Sequence, residues 1–223
     1  MAKIMLTASD GFNFAAHEAK APAKPRGGIV VLQEIFGMNP HMRSVADGYA
    51  TEGYHVIAPG LFERAERNVA MGYDKADTER GIALRAKVPL AQTLLDIEAS
   101  IMAVSDAGKV AIVGFCWGGS LAWLGAARLP GLSASVGYYG GMIAGSLGET
   151  PRMPVMLHFG EKDGGIPLSD VDKIRAGTDP AIVQVFTYPA GHAFNRDGTA
   201  NYHADSAKLA RTRTMEFLRK HVG

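Results

Sequence analysis

Residues 110–120 read VAIVGFCWGGS, and the fold turns on how they are read. Val110–Val113 is a run of branched apolar residues, suited to a strand covered on both faces. From Gly118 to Arg128 the chain reads as a helix. Between them lies Gly114-Phe115-Cys116-Trp117-Gly118, a G-x-C-x-G step. A side chain at the centre of so sharp a strand-to-helix turn sits on strained backbone and projects above the sheet. The flanking glycines leave room that a Cβ would fill. In that place Cys116 has a helix N-terminus behind it, whose positive potential favours thiolate. The amide of Trp117 then faces the point where an oxyanion would form. An arbitrary lone cysteine is more often a small buried hydrophobe; the strand–turn–helix context reverses that expectation.

Outward from this step the chain alternates. Ile29–Gln33, Tyr54–Ala58, Ser133–Tyr139, Val155–Phe159 and Ile182–Tyr188 read as strands. Pro40–Glu52, Ala76–Lys87, Pro89–Val104, Leu168–Ala176 and much of Tyr202–His221 read as helices. Lys3–Leu6 and Asn13–Ala16 flank the turn signal TASDG and predict an N-terminal hairpin. Strands alternating with helices predict an α/β class with a mostly parallel central sheet and helices on both faces. Ligands then sit at the carboxyl ends of the strands. The stretch ERAERNVAMGYD, residues 63–74, has no clear periodicity and would flank the entrance.

Composition sets limits. The chain has 223 residues, 47% of them hydrophobic, enough for one large α/β domain over 1–223. Lys plus Arg number 23 against 22 Asp plus Glu, so neither a nucleic-acid footprint nor a polybasic membrane patch is present. No apolar run resembles a signal peptide or approaches the ~20 residues of a spanning helix. A single cysteine forms no internal disulfide, and a reducing cytoplasm is the expected setting. No HExxH, CxxC or GxGxxG spacing calls for a metal or a dinucleotide, so no cofactor is expected.

A nucleophile needs a base, and the base an orienting group. LHFGEKDGGIP puts Asp163 in a loop just after a strand, and YPAGHAF puts His192 in a loop after the last strand. The order nucleophile, acid, histidine is that of α/β-hydrolases. The other histidines fit less well: His17 precedes the core, His41 and His55 lie in or beside early elements, His158 is inside a strand, and His203 and His221 bound the last helix. Glu161 is the nearest rival to Asp163.

With these residues in place the chain resembles the dienelactone hydrolase (carboxymethylenebutenolidase) family of α/β-hydrolases. The resemblance rests on QEIFG at 33–37, GFCWGG at 114–119, GYYGG at 137–141, GEKD at 160–163 and GHAF at 191–194. It implies hydrolysis of enol lactones such as dienelactone by a Cys–His–Asp triad without a cofactor: Cys116 as nucleophile, His192 as base and acid, Asp163 as orienter. It further implies that Glu34 interacts with the resting thiol and is displaced by substrate, helping to generate thiolate, and that the amide of Ile35 is the second oxyanion donor. A carboxylate beside a thiol does oppose a second negative charge. For the substrate carboxylate the resemblance implies two arginine clamps. Arg196 is one. The other is Arg80, or Arg85 if the match slips in this irregular stretch. Phe36, Trp117, Tyr138 and Phe194 are candidate apolar walls, or else ordinary core.

Two other readings stand beside this one. A related esterase or lactonase acting on neutral esters would keep the triad and be indifferent to Arg80 and Arg196. A binding protein or thiol sensor on the same fold would lack a resolving cysteine and give His192 and Asp163 no purpose. The sequence carries no signal of oligomeric state.

Overall fold

A computed structural model describes residues 2–223, which form one eight-stranded sheet with six α-helices around it. In chain order these are β1 (Ala2–Thr7), β2 (Asn13–Ala19), β3 (Gly28–Leu32), α1 (Pro40–Thr51), β4 (His55–Pro59), α2 (Lys75–Lys87), α3 (Leu90–Ala103), β5 (Val110–Phe115), α4 (Trp117–Arg128), β6 (Leu132–Tyr138), β7 (Val155–Gly160), α5 (Leu168–Ala176), β8 (Val183–Tyr188) and α6 (Ala204–His221). The strand order is β1-β2-β4-β3-β5-β6-β7-β8. β1 and β2 are the expected hairpin, and β2 also pairs antiparallel with β4; every other pairing is parallel.

The apolar runs explain the centre of the sheet. Every residue of β3, β5 and β7 is buried, which requires cover on both faces. α4 is buried along nearly its whole length because GGSLAWLGAA presents small or apolar groups all round. α1 starts where Asn39 accepts a hydrogen bond from the Met42 amide and Pro40 fits the first turn. α2 starts on an Asp74 cap. Among the described residues no single helix is long and apolar enough to cross a membrane.

The irregular stretch before α2 is held by charges rather than by periodic apolar contacts. Arg64 makes paired hydrogen bonds to Asp96 on α3 (2.8 and 2.9 Å) and to Asp10 in the hairpin turn (2.8 and 3.0 Å). The buried Glu63 carboxylate accepts from the amides of Ala15 and Asn68. These ties fix the segment against β2 and α3, beside the carboxyl end of the sheet.

Candidate active site

The nucleophile candidate lies at the junction of β5 and α4. Cys116 has φ +52° and ψ −113°, a conformation that an L side chain adopts only under strain. Its amide donates to the carbonyl of Tyr138 on neighbouring β6 at 2.9 Å, which anchors the turn. The flanking glycines are required. A Cβ on Gly114 would lie 1.9 Å from the carbonyl oxygen of Gly118, and one on Gly118 would lie 2.4 Å from that of Leu32 on β3. The helix therefore starts directly against two strand ends, with Cys116 at the apex and partly exposed.

The loops after β7 and β8 bring Asp163 and His192 to the same edge. Cys116 Sγ lies 3.2 Å from His192 Nε2, and His192 Nδ1 lies 2.7 Å from Asp163 Oδ2. The other Asp163 oxygen accepts from the amides of Gly165 and Ile166, so the buried carboxylate is held in one orientation. Burial works against the His192 imidazolium, but the hydrogen bonds to Asp163 and Cys116 outweigh it and raise the pKa to about 10. His158 shows the opposite case: burial, with Arg213 nearby, pushes it down to about 3, and it serves as a neutral link between Tyr188 and Thr214. His17, His41 and His55 pair with Asp47, Asp197 and Glu18 away from Cys116.

The amides of Trp117 and Ile35 have no hydrogen-bond acceptor among the described residues. One begins α4 and the other follows β3, so both belong to the strand ends that frame Cys116. Gln33 braces this second loop: its side chain accepts from the Leu61 amide at 3.0 Å and donates to the Glu34 carbonyl at 3.1 Å.

Glu34 differs from expectation. Its buried carboxylate faces Arg196, in a two-point pair of 3.0 Å (Nε to Oε2) and 2.9 Å (Nη2 to Oε1), while the sulfur of Cys116 faces His192. The guanidinium is buried too, lying over the rings of Tyr73 (4.2 Å to the centroid) and Phe36 (5.0 Å). A fork matched to a carboxylate takes the one available inside the protein. Arg196 is thus at the site but already engaged. Arg80 is an exposed side chain on α2, paired with Glu66, and Arg85 is exposed on the same helix.

The aromatic walls also need correction. Phe36 covers Arg196, and Trp117 stacks on Phe62 at 5.3 Å. Tyr138, by contrast, points into the core: it stacks on Phe115 and its hydroxyl meets Thr214 Oγ1 at 2.7 Å. Tyr139 lies just past the end of β6 at φ +40°, and it is this ring that approaches His192 (5.0 Å) and Phe194 (5.5 Å). Tyr139 and Tyr73 were missed in the sequence. Tyr139 is turned by the positive-φ bend after β6, which leaves no local signal, and Tyr73 lies in the stretch without periodicity. No group of three or more His, Cys, Asp or Glu side chains among the described residues could hold a metal ion.

The family model for the dienelactone hydrolase family matches residues 14–222. A carboxymethylenebutenolidase of Pseudomonas putida is 34% identical over 228 residues, spanning 96% of this chain and 94% of its own. The crystal structure of a "putative dienelactone hydrolase" from Klebsiella pneumoniae superposes with a TM-score of 0.84 at 32% identity, covering 99% of this chain and all of the other. An esterase of Pyrococcus furiosus shares the fold alone, at a TM-score of 0.74 and 14% identity over 100% of this chain and 93% of its own.

Proposed function

The chain belongs to the dienelactone hydrolase family and is a hydrolase of ester bonds with the α/β-hydrolase fold; from that premise we propose that it opens carboxylate-bearing enol lactones through a Cys116–His192–Asp163 triad. The observation that carries the proposal is the unbroken line of contacts from Sγ through the imidazole to a buried, fully hydrogen-bonded carboxylate. His192 Nε2, 3.2 Å from the sulfur, takes the thiol proton and leaves a thiolate beside an imidazolium. The thiolate attacks the lactone carbonyl, and the amides of Trp117 and Ile35 receive the developing oxyanion. Collapse expels the enolate, which takes the proton from His192. Neutral His192 then draws a proton from water, the hydroxide attacks the thioester, and the sulfur leaves as thiolate.

Carboxylate recognition falls to Arg196, a buried guanidinium beside the site that is already desolvated and aligned on a carboxylate. Its engagement with Glu34 favours a second reading, hydrolysis of neutral esters, in which the pair is permanent. Steady-state hydrolysis of a dienelactone and of a neutral aryl ester by wild type and Arg196→Ala separates them. Preference for the lactone that disappears with Arg196 is expected. Equal turnover of the neutral ester, indifferent to Arg196, would move the substrate to neutral esters while leaving the triad in place. The cytoplasm is the proposed location.

A further inference from the structure

A second crevice opens behind the loop that carries His192 and Arg196. It encloses about 340 Å³ between α1 and α6, over the ends of β5 and β6. A cavity of ~150 Å³ already takes benzene, so a substituted ring has room here. The loop above it, residues 191–202, faces two ways. His192 and Arg196 turn to Cys116 and Glu34, whereas Asn195, Asp197 and Tyr202 line the crevice. None of Cys116, His192, Glu34 and Arg196 lines it, so it is separate from the site of the triad.

Its lining joins aromatic surface to positive charge. Tyr49, Phe115 and Tyr138 form the floor and are almost wholly buried. At the mouth Tyr202 leaves 43% of its surface exposed, a large ring without cover. Lys208 and Arg211, one turn apart on α6, supply two cations. Arg211 is half-buried: its guanidinium lies 3.7 Å from the Tyr49 ring centroid and donates to the Gly48 carbonyl at 3.1 Å. Neither cation has a carboxylate partner among the described residues, and a partly desolvated charge left unpaired is unfavourable. Asp197, the one acid in the lining, is paired with His41 Nδ1 at 2.7 Å. The His41 side chain is only 9% exposed, and its Nε2 has no partner among the described residues; buried polar atoms nearly always have one. The walls thus carry more positive than negative charge and hold groups without partners. We propose that this crevice is a second binding site, for an aromatic carboxylate. Its ring lies along Tyr202 and the floor, and its anionic group meets Lys208 and the N–H groups that Arg211 has left. The site does not depend on which ester the triad cleaves.

Benzoate is the probe, followed by ligand-observed NMR titration of the intact protein, with acetate as the control that lacks a ring. Wild type is expected to bind benzoate with a Kd of about 1 mM or tighter, and acetate at least about tenfold more weakly, since it gains nothing from the aromatic surface. Ser44→Trp fills the crevice from the exposed face of α1 and is expected to abolish the binding. Lys208→Ala is expected to weaken it about tenfold, the loss of one hydrogen bond to a charged group. Both positions are exposed, so both variants should melt as wild type does. Arg196→Met tells the two sites apart. Binding that survives this change and is lost in Ser44→Trp supports the crevice. Binding lost with Arg196 and untouched by the crevice variants puts benzoate at the triad and overturns the proposal. No binding up to about 10 mM benzoate overturns it too, as does acetate binding as tightly as benzoate. If Arg196→Met does not fold, the two crevice variants decide alone.

Discussion

Alanine at position 114 is the sharpest test of how the elbow is built. The added Cβ would stand 1.9 Å from the Gly118 carbonyl oxygen, 2.3 Å from its carbon and 2.9 Å from the Gly119 nitrogen, where ordinary contact begins at 3.4 Å. All three are backbone atoms, so no flexible side chain can yield. The end of β5 and the start of α4 must part by ~1.5 Å, and Cys116 rides on that junction. Overpacking of this kind costs about 1–3 kcal/mol, and misplacing a reacting group by ~1 Å costs about a hundredfold in rate. Gly114→Ala is therefore expected to lower the urea midpoint and to cut kcat about a hundredfold or more, with KM changed far less. Urea denaturation and steady-state hydrolysis of an aryl ester measure both. A variant with wild-type midpoint and turnover would refute the claim that helix and strand are in contact at this point.

Other expectations follow from the same geometry. Cys116→Gly removes turnover but relieves a positive φ; set against the entropy of glycine, the protein is expected to be no less stable than wild type, and a loss of more than ~1 kcal/mol would count against strain at the apex. His192 holds its proton up to about pH 10 when folded, against 6.5 for an unperturbed imidazole. Its contribution to stability is then complete below pH 6.5 and declines as pH rises toward 10. Denaturation midpoints measured over that range should fall in wild type and be flatter in His192→Gln; parallel profiles would disprove it. Asp163→Asn weakens the hydrogen bond that raises His192, so thiol alkylation at pH 7 should slow at least tenfold relative to wild type.

Local signals reached far into this structure. The elbow was legible because two glycines, a strand and a helix agree, and backbone contact enforces each of them. The loops carrying Asp163 and His192 were legible because chain order and strand ends constrain where they arrive. Boundaries moved by small amounts for local reasons: Gln33 leaves β3 because its amide braces two loops, and α4 begins at Trp117 directly after the strained apex. Sequence reasoning failed where the partners of a side chain are set by tertiary contact. Residues 63–74 show no clear periodicity in the sequence, yet Glu63 and Arg64 within them are ties to β2, α3 and the hairpin turn. The pairing of Glu34 with Arg196 spans 162 residues and leaves no local trace. Tyr138 was chosen over Tyr139, whose ring a positive-φ bend just past β6 turns toward His192.

The order of the site along the chain has a consequence for its synthesis. Asp163, His192 and Arg196 all follow Cys116, on loops of the last two strands to join the sheet. His192 is 76 residues downstream of the sulfur, which at 5–20 residues per second is roughly 4–15 s of translation. During that interval the elbow can form on the ribosome, since β3, α4 and β6 are available or soon to be. The thiol, however, has neither its base nor its orienting carboxylate, and Glu34 lacks its arginine. On the proposed triad, a half-made chain would carry an ordinary thiol, and activation would come only when the far edge of the sheet closes over it. Fragments ending before β7 should be alkylated at pH 7 at the rate of an ordinary cysteine, and more slowly than the complete protein.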